Sequence, residues 1–101
     1  PMKSFRDTLY VDFVQEAVYI YTHVDLVEIS CDGAYRIDQE KQAFVVPIGS
    51  RCTFKGIGGK TVAVWWSNFI GHYPRKELSR EPEYSFTAWE NCNVVPEFQI
   101  D

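Results

Sequence analysis

The chain has 101 residues, 46% of them apolar, 16% aromatic and 24% charged, with a formal net charge of −4. That suits one domain with a real core, and it is too short for the several crossover units of a P-loop nucleotidase. No apolar run approaches the ~20 residues of a membrane span and no basic-then-apolar leader is visible, so a cytoplasmic protein is expected; Pro1 ahead of Met2 reads as a cloning remnant.

The charge is unevenly spread. Residues 1–40 hold eight acids against three bases, residues 41–80 hold seven bases against Glu77, and residues 81–101 hold five acids and no base. General binding to duplex nucleic acid needs a broad basic face, which this pattern does not provide. It does permit a local basic patch for a small anion. Cys31, Cys52 and Cys92 are widely spaced, odd in number and form no Cys-x-x-Cys pair, which reads as reduced, buried thiols.

Strand signals dominate from the N-terminus onward. Residues 8–14 and 17–23 are rich in branched and aromatic side chains. For residues 4–21 two readings stay open, because Phe5, Leu9, Phe13, Ala17 and Tyr21 recur at helical spacing behind a Ser4–Asp7 capping pair. Residues 26–30 and 34–38 read as a hairpin around Asp32-Gly33. A polar turn follows at 38–42, then a short buried strand at 43–46 ended by Pro47. Residues 51–56 and 60–66 flank a glycine cluster. A polar, Pro-bounded excursion spans 67–83, with a short helical turn expected near residues 75–79. Two late strands follow, the last holding Pro96 and therefore expected at a sheet edge. Short strands with turns every eight to twelve residues predict one all-β domain, a sandwich or barrel.

The stretch "TFKGIGGKT" at 53–61 looks like a phosphate loop. A Walker loop needs a glycine where Phe54 stands, and a helix where "VAVWW" has strand character. Gly58-Gly59 are better read as a hairpin turn needing positive φ. Lys55 and Lys60 then remain as candidate anion contacts on that hairpin.

Two short motifs over about residues 8–66 resemble the cupin superfamily. Pro47-x-Gly49-x-x-Cys52 resembles the second cupin motif, with an apolar strand before the turn and an aromatic-bearing strand after it. Pro presets φ and Gly allows φ > 0, so the turn is tight and turns the next strand's side chains inward. Upstream, His23 and Glu28 fall on positions of the first motif. This sequence departs from the family in having Tyr21 and Cys52 where it would have histidines, and Lys41 in place of a glycine. The resemblance implies a small jelly-roll, or double-stranded β-helix, of antiparallel strands with a pocket between its two sheets.

In a metal-bearing member the matched positions would be ligands, so His23, Glu28 and Cys52 form the candidate set for a divalent metal, with Tyr21 beside them. The blander reading is that they line a pocket or the core and that no cofactor is held. Cys52 and His23 form a conceivable nucleophilic dyad, but no helix N-terminus or second base accompanies them. Trp65 and Trp66 are adjacent on a strand, so their rings must take opposite faces. One is expected in the core and the other at a rim, where aromatic rings and cations suit contacts to a base or sugar phosphate.

The leading expectation is a non-catalytic protein that holds a small polar or anionic ligand in a barrel pocket through Tyr21, His23, Glu28, Arg51, Cys52 and Trp66. Alternatives are a metal-dependent cupin enzyme, an isomerase or oxygenase on a small sugar or acid. A third is a small protein-interaction module or inhibitor, of immunity or phage type, whose pocket is vestigial. Pairing through strand edges into a homodimer would help so short a chain.

Overall fold

The computed structural model of the protein describes residues 16–68 and 75–100. Its elements are β1 (Ala17–Tyr21), β2 (Val27–Cys31), β3 (Arg36–Asp38), β4 (Ala43–Pro47), β5 (Ser50–Gly56), a 3-10 turn (Ile57–Gly59), β6 (Val62–Ser67), β7 (Lys76–Ser79), β8 (Tyr84–Ala88), β9 (Cys92–Asn93) and β10 (Val95–Phe98). The described part is all-β, and its strands pair antiparallel except where β1 runs parallel to the two residues of β9.

The strands form the orders β3-β4-β1-β9, β10-β6-β7 and β2-β5-β8. Only Val94 separates β9 from β10. Its N–H donates to the Tyr21 carbonyl at 3.0 Å, so the last strand passes from one sheet to the next and joins them edge to edge. The sheet β2-β5-β8 packs across this joined layer.

Period-two alternation explains which side chains meet between the layers. On β1, Val18 and Ile20 are buried, while Tyr19 and Tyr21 share the other face and stack at 6.1 Å. On β5, Cys52 and Phe54 face inward between the exposed Arg51 and Lys55. Phe54 links the sheets: its ring lies 5.5 Å from Phe44 of β4, 6.1 Å from Trp65 of β6 and 5.7 Å from Phe86 of β8. Burying a side chain of that size stabilises the fold by roughly 1.5–3 kcal/mol.

On β6, Val62 and Trp65 both reach the core although they are three positions apart. Strict alternation would put them on opposite faces. The register with β10 shifts between Glu97 and Phe98, which leaves Ala63 as an extra residue on β6. A bulge of this kind re-aims the side chains beyond it. Trp65 is fully buried and its indole donates to the Glu81 carbonyl at 3.1 Å, while Trp66 is half-exposed on the other face. The expected division of the two rings is what the strand shows.

Several local expectations change. Residues 26–30 and 34–38 do not form a hairpin: β2 pairs with β5 and β3 pairs with β4, in different sheets. The segment 32–35 is therefore a crossover between layers, and the turn residues Asp32-Gly33 do not close a ladder. Gly58-Gly59 have the expected positive φ, 60° and 82°. The strands they join also lie in different sheets, so the glycines make a corner and not a hairpin. Residues 76–79, expected near a helical turn, are strand β7, laid antiparallel on β6. The polar turn at 39–42 does close a hairpin, β3–β4, with Gln42 in the left-handed region at φ 52°. Pro96 sits on β10, an edge strand, as its missing N–H requires. Of residues 4–21, the last five are strand β1; residues 4–15, and with them the expected strand at 8–14, lie outside the described residues.

Gly49 adopts φ 87° in the turn between β4 and β5, and a methyl there would come within 3.3 Å of the Trp89 ring. The Pro47-x-Gly49 turn thus works as its residue types demand. It delivers Cys52 and Phe54 to the interior.

Candidate functional site

The residues expected around one pocket are dispersed by the pairing. Tyr21 is on the face of β1 that carries Tyr19, away from Val18 and Ile20. His23 is exposed in the turn that follows β1, where its carbonyl accepts the Leu26 N–H at 2.9 Å. Glu28 stands opposite Lys55 on the solvent face of β2-β5, with a 3.8 Å ion pair between them. Arg51 is on that same face and donates to Thr87 at 3.3 Å. Cys52 points the other way, into the core. Trp66 is covered by Arg75, whose guanidinium lies 4.0 Å from its ring, and its indole donates to Glu97 at 2.7 Å.

His23, Glu28 and Cys52 are therefore not brought together. Among the described residues no three His, Cys, Asp or Glu side chains are grouped so as to hold a metal ion. The strand geometry is the reason: an odd position on β2 or an even one on β5 faces the core, so Glu28 and Cys52 occupy opposite faces of one sheet. The interior that the cupin resemblance would open as a pocket is occupied by Phe44, Phe54, Trp65 and Cys52.

Cys52 and Cys92 are not poised as nucleophiles either. Burial first, and then the neighbouring Cys31, push the Cys52 thiol up to about 12. Burial, assisted by Glu90, pushes Cys92 up to about 11. Both are protonated at neutral pH, and the exposed His23 does not face Cys52. His72, in the excursion expected over 67–83, lies outside the described residues.

One concave site does involve a residue singled out by sequence. The corner after β5 is fixed by three hydrogen bonds: Ile57 N–H to the Leu26 carbonyl at 3.0 Å, Gly58 N–H to Glu28 Oε2 at 3.1 Å, and Lys60 N–H to the Ile57 carbonyl at 3.1 Å. Gly56 has no room for a side chain, because a methyl would overlap the Lys60 carbonyl oxygen and press on the Phe98 ring. That close approach folds Lys60 back over β10. The result is a cleft of about 280 Å³ lined by Gly59, Lys60, Thr61, Phe98 and Gln99.

Its chemistry is mixed. The Lys60 ammonium lies 5.8 Å from the Phe98 ring centre and forms no ion pair among the described residues. Glu28, the nearby acid on the other side of the corner, is engaged by Lys55 and by the Gly58 N–H. Thr61 and Gln99 add a hydroxyl and an amide, and the Gln99 N–H already binds the Thr61 carbonyl at 2.9 Å. Thr61, Phe98 and Gln99 were not legible as site residues in the sequence, since only the pairing of β6 with β10 brings 61 and 98–99 together.

Among the described residues no helix is long and apolar enough to cross a membrane. The class defined by these observations is a small two-layer β domain with a polar corner cleft. Comparison with protein-family models, with curated proteins and with solved structures finds no match to the chain.

Proposed function

We propose that this protein is a non-catalytic binding module for a small anionic molecule, taken up at the corner cleft and not between the sheets. The observation that carries this reading is Lys60: a cation without an acidic partner among the described residues, held over an aromatic ring and beside the Thr61 hydroxyl and Gln99 amide. An ammonium of this kind binds phosphate or carboxylate as a point charge. The Phe98 ring supplies an apolar wall of the sort that ligand sites combine with a few polar groups. The excess of bases in residues 41–80 supports the same reading at long range.

Calorimetric titration with inorganic phosphate, a sugar phosphate and a nucleoside monophosphate tests it. At least one should bind at low salt, and Lys60→Ala should weaken that binding about tenfold, equivalent to ~1.4 kcal/mol. Equal binding by wild type and Lys60→Ala would remove the cleft from consideration. Binding unchanged in Lys60→Ala but lost in Arg51→Ala would shift the site to the outer face of β5.

A further inference from the structure

We propose that Cys31 and Cys52 form a thiol–disulfide exchange site that a low-molecular-weight disulfide converts reversibly into an intramolecular disulfide. The two residues are direct cross-strand partners on β2 and β5, and their sulfurs lie 3.8 Å apart. At the next position along the ladder the Asp32 N–H donates to the Arg51 carbonyl at 3.2 Å. In an antiparallel ladder bonded and non-bonded pairs alternate, so Cys31 and Cys52 occupy a non-hydrogen-bonded pair. There the Cα atoms approach to about 4.5 Å, which falls inside the range of about 4.4–6.8 Å that a disulfide spans. Closing the bond asks for side-chain rotation that brings the sulfurs to about 2.05 Å, with no change of register.

The two thiols differ in access, and this gives the reaction an order. Cys31 is partly exposed at the end of β2, an edge strand, whereas Cys52 is fully buried. The Cys31 thiolate attacks one sulfur of the small disulfide. A mixed disulfide forms on Cys31, and the first small thiolate leaves and takes up a proton. Cys52 then loses its proton and attacks the Cys31 sulfur, and the second small thiolate departs. Two protein thiols are oxidised to one disulfide, giving up two electrons and two protons. The small disulfide is reduced to two thiols. Because burial holds the Cys52 proton tightly, the second step is the slow one and quickens as pH rises. Cys92 also packs against the same core, so the pairing has a built-in competitor, and its selectivity can be measured.

The test equilibrates the full chain with mixtures of oxidised and reduced glutathione, then traps free thiols and maps linked peptides by mass spectrometry. The wild type and Cys92→Ser should both lose two hydrogen masses and yield a Cys31–Cys52 linked peptide, reversed by dithiothreitol. Cys31→Ser, a change at a partly exposed position, should yield no intramolecular link. The linked form should melt higher by on the order of 10 °C, as expected for closing a loop of about 20 residues, and Cys31→Ser should show no such oxidant-dependent shift. A glutathione adduct on Cys31 that never resolves, a predominant link to Cys92, or thiols that stay free across the whole redox range would each overturn the proposal. The reading is independent of ligand binding at the corner cleft, and its outcome does not bear on that site.

Discussion

At the scale of single residues, the fold shows what each side chain exchanges for its place. Cys52 exchanges water for a place in the buried core cluster and keeps its proton as a consequence. That has a pH signature. The folded thiol is raised to about 12 from an ordinary 9.0, so the unfolded chain releases its proton first. The stability contributed by burying the neutral thiol is whole below pH 9 and is lost as pH climbs toward 12. The unfolding free energy should therefore take no pH dependence from this thiol across neutral pH and decline above pH 9, at a limiting slope of ~1.4 kcal/mol per pH unit. Cys52→Ala should decline less steeply over the same range. An identical alkaline decline in both proteins would show that other groups govern it. Single residues also account for the glycine corner, where one missing side chain, at Gly56, lets the Lys60 carbonyl approach and so shapes the cleft.

Among elements, β7 is the addition that local pattern did not foresee. Residues 76–79 carry two charges in a polar stretch, and nothing in their alternation signals a strand. What holds them is a neighbour: β6 offers an open edge, and Trp66 offers a ring to Arg75. Arg75 covers that ring at 4.0 Å and lies 3.7 Å from Glu97, which also accepts the Trp66 indole N–H. The three residues tie β10, β6 and the start of β7 across the solvent face. Arg75 and Glu97 are both about half-exposed, so their ion pair adds little; the stacking should dominate. A double-mutant cycle with Trp66→Leu and Arg75→Ala should return a coupling of about 0.5–1 kcal/mol in denaturant unfolding, largely retained in 1 M salt. A coupling near zero, or one abolished by salt, would show that the pair is an exposed charge contact and no more. The same element-scale logic explains why two hairpins expected from sequence are absent. Asp32-Gly33 and Gly58-Gly59 are valid turn residues, but a turn only permits reversal. Whether the two flanking strands then pair depends on which partners compete for their edges, and β5 takes both edges' worth of partners in β2 and β8.

For the whole molecule, the last strand is the closing piece. Tyr19 and Asn91 are 72 positions apart yet bonded, N–H to Oδ1, at 2.9 Å. Two positions on, in β9, the Asn93 side chain accepts the Asn68 N–H. Through β9 and β10 the C-terminus connects two sheets that otherwise share no ladder. Contacts of such sequence separation form late and cooperatively, because loop closure must precede them. A chain truncated after Asn91 should therefore lose its cooperative thermal transition entirely, as judged by near-ultraviolet circular dichroism. A truncated protein that still melts sharply would mean that β1-β4-β3 and β2-β5-β8 are stable without the join.

How much of this was legible beforehand follows from the same division of scales. The amino-acid sequence by itself determined that the described chain is built of strands, that Trp65 and Trp66 part company, that Gly49, Gly58 and Gly59 take left-handed conformations, and that Pro96 lies on an edge. Each of these depends on neighbours within a few positions: side-chain alternation, the φ allowed to Gly, the N–H missing from Pro. Only the tertiary structure decided that Glu28 and Cys52 stand on opposite faces, that β2 and β3 belong to different sheets, that residues 76–79 extend a sheet, and that Lys60 meets Phe98 and Gln99. Those outcomes depend on which strand wins each open edge, a competition settled by packing summed over the whole core and written in no single stretch of the chain.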